Sequence, residues 1–209
     1  MSKYLFSFVL AACFAAVPVR AAEMVAPDVL AKSVTDEVLA VIRADKDIQS
    51  GNQKKLLDLV EAKVLPHFDF EHMARLAMGK NWRQASAAQQ KELTNAFRTL
   101  LVRTYTTAFT QYRNQTVEYR PLRMAPDETD VTVKSLVKQA SGQPITVDYG
   151  MEKTGNGWKV YNVKIEGVSL VENYRNTFNT EIQRSGVDGL IKSLSEKNRM
   201  LAQAQVNHK

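Results

Sequence analysis

Apolar residues along the first half of this chain recur every three to four positions, and between residues 115 and 165 they recur every second position. The first spacing is that of one face of a helix and the second that of one face of a strand. Pro27 can open a helix that carries Leu30, Val34, Val38 and Val41 on one side. Lys46 to Gln53 reads as a polar break containing Gly51, and Lys54 to Leu65 as a second helix stopped by Pro66. Asp69 is placed to cap a short helix with Phe70, Met73, Leu76 and Ala77 inward and Gly79 at its end. Ser86 with Gln89 forms a capping-box pattern that starts the longest helix, expected to reach about Tyr112. Leu93, Phe97, Leu100, Leu101, Tyr105, Phe109 and Tyr112 share its apolar, aromatic-rich face.

Four strands follow. Val117 and Tyr119 alternate with Glu118 and Arg120; Val131, Val133 and Val137 with Thr132 and Lys134; Ile145, Val147, Tyr149 and Met151 with Thr146, Asp148 and Glu152. The fourth begins at Trp158 and turns at Gly167. Short connections around Pro126, Gly142 and Gly155-Asn156-Gly157 have hairpin chemistry, so an antiparallel meander with one apolar face is expected. Ser169 and Glu172 then repeat the capping-box signal, and Leu170, Tyr174 and Phe178 fall on one face of a helix reaching about Arg184. Gly186 and Gly189 introduce a last helix with Val187, Leu190, Ile191 and Leu194 inward. The predicted class is α+β: a four-stranded antiparallel curved sheet wrapped by about six helices, an NTF2-like or cystatin-like cone around a hydrophobic pocket.

The N-terminus changes the picture of where such a protein works. Lys3, an apolar run from Leu5 to Val17, and the small residues of Val19-Arg20-Ala21 form a signal peptide, expected to be cleaved after residue 21. Leu10-Ala11-Ala12-Cys13 resembles a lipoprotein box, but the residues after Cys13 stay apolar where a lipidated protein carries a polar linker. Cleavage would remove the one cysteine, so residues 22–209 form no disulfide and rely on a core. Lys3 and Arg20 leave with it, which takes the formal charge from +6 to +4. That balance suits an anionic surface without choosing among membrane, headgroup and nucleic acid. No linker, repeat or low-complexity tract divides the remainder, and one domain is expected.

Three runs are more specific than spacing. LPHFDFEHMARLAMGKNW (65–82), WKVYNVKIEGVSLVENYR (158–175) and SGVDGLIKSL (185–194) stand in the order found in the MlaC, or toluene-tolerance, family of periplasmic phospholipid carriers, and the chain resembles that family over roughly residues 30 to 200. The resemblance implies a soluble periplasmic carrier with a diacyl phospholipid as cargo, acyl chains inside and headgroup near solvent. It also implies an inner-membrane ABC transporter with an MCE-domain subunit and an outer-membrane lipoprotein–porin complex as partners; no cofactor and a monomer are expected, although nothing in the sequence fixes the oligomeric state. Facing arguments within the family-like segments give the candidate lining: Phe70, Met73, Leu76, Phe97, Leu101, Tyr105, Phe109, Val131, Val133, Val147, Tyr149, Val163, Val168, Leu170, Tyr174 and Phe178.

Other chemistries are weaker. His67, Asp69 and His72 have metal-ligand types, but Asp69 suits a helix cap, and terminal His208 is the remaining histidine. Small enzymes of the ketosteroid-isomerase type share a cone of this kind and would need an inward carboxylate or histidine; the inward strand positions are Val, Ile, Met and aromatic. Such an enzyme acting on a small hydrophobic substrate, and an adaptor that binds no lipid, are the alternatives. Arg113, Arg120 and Arg123 gather near the first strand without an RNA- or DNA-binding motif, and nucleic acid is not an expected partner.

Overall fold

Five strands, not four, make the sheet. In the computed structural model, which describes residues 24–106, 115–139 and 142–207, they lie in the order β1-β2-β3-β4-β5, each antiparallel to the next. The strands are β1 (Thr116–Tyr119), β2 (Asp130–Lys138), β3 (Ile145–Thr154), β4 (Gly157–Ile165) and β5 (Val168–Ser169). The extra strand comes from the turn at Glu166-Gly167. Both residues have positive φ, 50° and 78°, as a two-residue hairpin loop of the twisted kind requires. Glu166 tolerates it because its carboxylate accepts from the Thr146 hydroxyl at 3.0 Å while its own N–H donates to the Thr146 carbonyl at 3.0 Å. The chain therefore pairs Val168 with Ile165 before the next helix begins.

A second irregularity sits in β4. Gly150 pairs with Asn162 but Met151 with Val160, so Tyr161 is an extra residue in the ladder. Its effect is to change parity: Trp158 and Val160 are buried before the bulge, and Val163 after it. All three thus reach the same core. Tyr161 lies over the side chain that Gly150 lacks; a Cβ there would stand 3.2 Å from the Tyr161 ring.

The helices are set by their caps. Helix α1 (Pro27–Ala44) starts with Pro27, where a missing N–H leaves nothing unpaired. The expected polar break is instead the short α2 (Lys46–Gln49), because the Asp45 carboxylate accepts the N–H groups of Asp47 and Ile48 at 2.8 and 3.2 Å and Ile48 is buried. Asn52 caps α3 (Gln53–Lys63), which gives way to a 3-10 turn at Leu65–His67. Asp69 caps α4 (Phe70–Met78) through the His72 N–H at 2.8 Å. The Ser86–Gln89 box closes reciprocally, at 2.9 and 3.3 Å, ahead of α5 (Ala87–Thr106). Ser169 accepts the Glu172 N–H at 3.1 Å and starts α6 (Leu170–Asn207), whose helical geometry breaks at Gly186 with φ 72° and ψ −175°. The signal segment 1–21, Phe109, Tyr112 and Arg113 lie outside the described residues.

Among the described residues three apolar clusters result. Helices α4, α5 and α6 bury Met73, Phe97, Leu100, Phe178 and Leu190 among themselves. Helices α1 to α3 gather around Val38, Ile42, Leu56 and Val60. The sheet's inner face carries Val131, Val133, Met151, Trp158, Val160 and Val163.

Candidate functional site: an apolar cavity where three clusters meet

A cavity of about 160 Å³ lies where these clusters come together. Val60, Val64 and Leu65 reach it from α3 and the following turn; Phe68, Phe70 and Met73 from the turn and α4; Leu101, Val102, Tyr105 and Thr106 from α5; Val163, Ile165 and Leu170 from β4 and the start of α6. Each contributing face is apolar for the helical or strand period already described, and no single pair of layers closes over it. Among the described lining residues the side chains are apolar apart from the hydroxyls that Tyr105 and Thr106 carry. Burial pushes the Tyr105 phenol above its ordinary range, which keeps it neutral. The Phe68 and Phe70 rings stack at 5.6 Å. The Arg98 guanidinium stands 5.8 Å from the Phe70 centroid and 3.5 Å from the Glu61 carboxylate, bringing a charged pair from α5 and α3 beside this apolar wall.

A second cavity, of about 60 Å³, lies against α1 and the sheet. It is lined by Leu30, Ala31, Val34, Val64, His67, Phe68, Tyr119, Tyr149, Met151 and Val160. Its tyrosine hydroxyls are partnered: the Tyr119 hydroxyl is 2.6 Å from the Thr35 hydroxyl and donates to the Ala31 carbonyl at 3.1 Å, and Tyr149 hydrogen-bonds to Ser135 and Tyr119. Burial raises the pKa of both tyrosines. His67 is held below its usual value, first by burial and then by the neighbouring Lys159 charge, against a smaller opposite pull from Glu37.

The sequence-derived residues separate into groups. Phe70, Met73, Leu101, Tyr105, Val163 and Leu170 line the larger cavity, and Tyr149 the smaller. Phe97, Phe178, Leu76 and Tyr174 pack in the helical cluster. Val131 and Val133 are buried in the sheet cluster, with Val147 packed against it. Val168 is 59% exposed on β5, paired with the cavity residue Ile165. Phe109, three positions after Thr106, is not among the described residues. Missed in the larger cavity were Val60, Val64, Leu65, Phe68, Val102, Thr106 and Ile165. Phe68 and Ile165 stand inside the family-like runs, and Val60 in α3 is followed one helical turn later by Val64 at its C-cap, so a signal existed for them. Which face of α3 met the sheet was not readable.

The other clusters have local roles. Asp69 is the cap, and His72 Nδ1 lies 2.6 Å from Glu152 while its ring stacks on Tyr161 at 4.6 Å, fastening α4 to the sheet. Arg120 and Arg123 are exposed. No described helix is long and apolar enough to cross a membrane.

Fold and cavity together define an α+β protein whose sheet and helices surround apolar space. The chain belongs to the MlaC family, whose model matches residues 32–196. It is 25% identical over 173 residues to the intermembrane phospholipid transport system binding protein MlaC of Haemophilus influenzae, covering 81% of each chain. Over 175 residues it is 26% identical to the toluene tolerance protein ttg2D of Pseudomonas putida, covering 83% of this chain and 81% of that one. A solved structure of a phospholipid-binding protein from Ralstonia solanacearum, in complex with a phospholipid, superposes with a TM-score of 0.77 at 45% identity. The match covers 83% of this chain and 97% of the other.

Proposed function

We propose that this protein is a periplasmic phospholipid carrier, a single lipid-binding domain over residues 22–209 released from a signal peptide at 1–21. The observation that carries the reading is the apolar cavity at the junction of the three clusters. A relative named for phospholipid transport and a phospholipid-bound neighbour at 45% identity support it. Two acyl chains with about 30 methylenes would cost on the order of 24 kcal/mol if left in water, so a carrier must enclose nearly all of both. At about 160 Å³ the larger cavity is of the size that takes one benzene, and it holds a segment of one chain. Loading therefore involves walls that part.

Phe70, Met73, Leu101, Tyr105, Val163 and Leu170 are the acyl-contacting residues on this reading, within a cone of the NTF2-like kind. Cargo would pass between an outer-membrane lipoprotein–porin complex and an inner-membrane MCE-domain ABC transporter. Release then needs a partner offering an equally apolar path, because a carrier can shift only by differential affinity.

The test is to purify the protein without detergent, extract it with organic solvent and identify what comes off by mass spectrometry. A stoichiometric diacyl phospholipid is expected. Leu101→Asp should carry much less of it than Lys134→Asp, whose side chain is on the exposed face of β2. Empty native protein under conditions that preserve bound lipid in a control carrier would refute the reading.

A further inference from the structure

Val64 and Phe68 belong to the walls of both apolar cavities. Beyond them the two spaces have different boundaries: α3, α4, α5 and the end of β4 on one side, α1 with Tyr119, Tyr149 and Met151 on the other. Phe68 also packs against both the helical cluster and the sheet cluster. Its ring is thus a divider with apolar space to either side.

The tie between the divider's segment and the sheet is slight. Phe68 follows the three-residue turn Leu65–His67, and the segment meets the sheet through a bridge between Phe68 and Val160, through the Asp69 N–H donating to the Val160 carbonyl at 2.9 Å, and through the Lys159 ammonium reaching the Pro66 carbonyl. A ring bordered by voids forfeits part of its dispersion contacts, so displacing it loses less than displacing a ring packed on all sides. The far end of the smaller cavity is closed by tyrosine hydroxyls that already have partners, and these gain nothing from an acyl chain.

A diacyl lipid brings two chains to a site with two apolar compartments. Resting on the carrier reading above, we infer that Phe68 is a specificity-determining residue for the cargo: its ring separates the seats of the two acyl chains and limits how far the second runs beneath α1. Removing the ring joins the compartments and favours longer chains. Enlarging it closes the smaller compartment and favours shorter ones.

The experiment offers purified protein vesicles of equimolar dilauroyl- and dioleoyl-phosphatidylglycerol, re-isolates it and measures the ratio of the two lipids bound. Discrimination by single methylenes in apolar pockets reaches tenfold and more, so Phe68→Ala should raise the long-to-short ratio about tenfold over the native protein. Phe68→Trp should lower it. Leu194→Ala, a substitution in the helical cluster, should leave it unchanged. Should Phe68→Ala fail to fold by circular dichroism, the opposed shifts of Phe68→Leu and Phe68→Trp decide. Loaded proteins with one common ratio overturn the divider. Native protein that takes up neither lipid overturns the carrier reading beneath it, which is a separate result.

Discussion

Two groups of aromatic rings in this molecule arise from similar sequence signals and end in opposite surroundings. Phe97, Tyr174 and Phe178 meet edge-on or tilted, with centroids 5.1 to 5.7 Å apart, and Phe97 and Phe178 are 0% and 2% exposed. Phe68 and Phe70 lie nearly parallel, 17° apart with centroids at 5.6 Å, on the wall of a cavity. The first group lies between helices that face each other along their length, so every ring finds a partner. The second lies where a turn, a helix and a strand converge at different angles, and packing there cannot close. An aromatic at helical spacing marks a buried face. Whether that face meets a neighbour or a void depends on the element across from it.

Truncation should separate the two groups most strongly. Phe97→Ala should cost about 3–5 kcal/mol, the range for a large ring in a packed core. Phe68→Ala already borders empty space and should cost clearly less, about 1–2 kcal/mol. Urea unfolding of both variants checks this, and equal losses would erase the distinction between core and cavity wall. A finer version uses adjacent residues on α5. Leu100 is fully buried away from the cavity and Leu101 lines it. Leu→Ala at 100 should fall near the upper part of the usual range, about 4–5 kcal/mol, and at 101 near the lower part, about 2–3 kcal/mol.

The same contrast explains what was legible in the sequence. Element identity was, because it rests on local chemistry: the Asp69 and Ser169 caps and the Ser86–Gln89 box form as their spacing implied. The break at Gly186 was equally local. Two features escaped. The Glu166-Gly167 hairpin needs a non-glycine residue at positive φ, held by Thr146 twenty positions away, and no local pattern announces it. Helix α2 needs Ile48 to find the α1–α3 cluster, which propensity over a polar stretch does not suggest. For the cavity, the α5 and β4 faces were readable as apolar. That Phe97 would be enclosed by α6 while Leu101, four residues on, looks into open space depends on how three clusters pack together, which sequence spacing does not encode.

The cavity wall can also be loosened from its edge. Removing the carboxylate with Asp69→Ala should cost about 1 kcal/mol, the usual worth of an N-cap, because the His72 N–H loses its partner. Phe70 and Met73, on the first turn and a half after that cap, would then be held less firmly. Capping the packed side of the molecule offers the comparison. Ser86→Ala removes the partner of the Gln89 N–H at 3.3 Å, a longer bond than the 2.8 Å one at Asp69, and should cost no more in the same urea experiment. A greater loss at Ser86 would mean that the cavity side is not the more cap-dependent of the two.

The smallest effect expected is a pH dependence confined to the divider's turn. His67 lines the smaller cavity beside Phe68, and burial, with Lys159 nearby, lowers its pKa below the reference 6.5. The unfolded chain therefore binds a proton there more readily than the folded one. Stability from neutral His67 is complete above 6.5 and is lost as the pH falls through the lower folded-state value. Lys159 deepens the effect and Glu37 moderates it. Urea midpoints measured from about pH 7.5 to about pH 5, bracketing the ordinary histidine range, should fall more steeply for the native protein than for His67→Gln. Lys159→Gln, which removes the repelling charge, should give an intermediate slope. Identical slopes in all three proteins would show that protonating His67 does not oppose folding. The turn would then be no softer toward acid than the packed helices, and the cavity side would differ from the core in its voids alone.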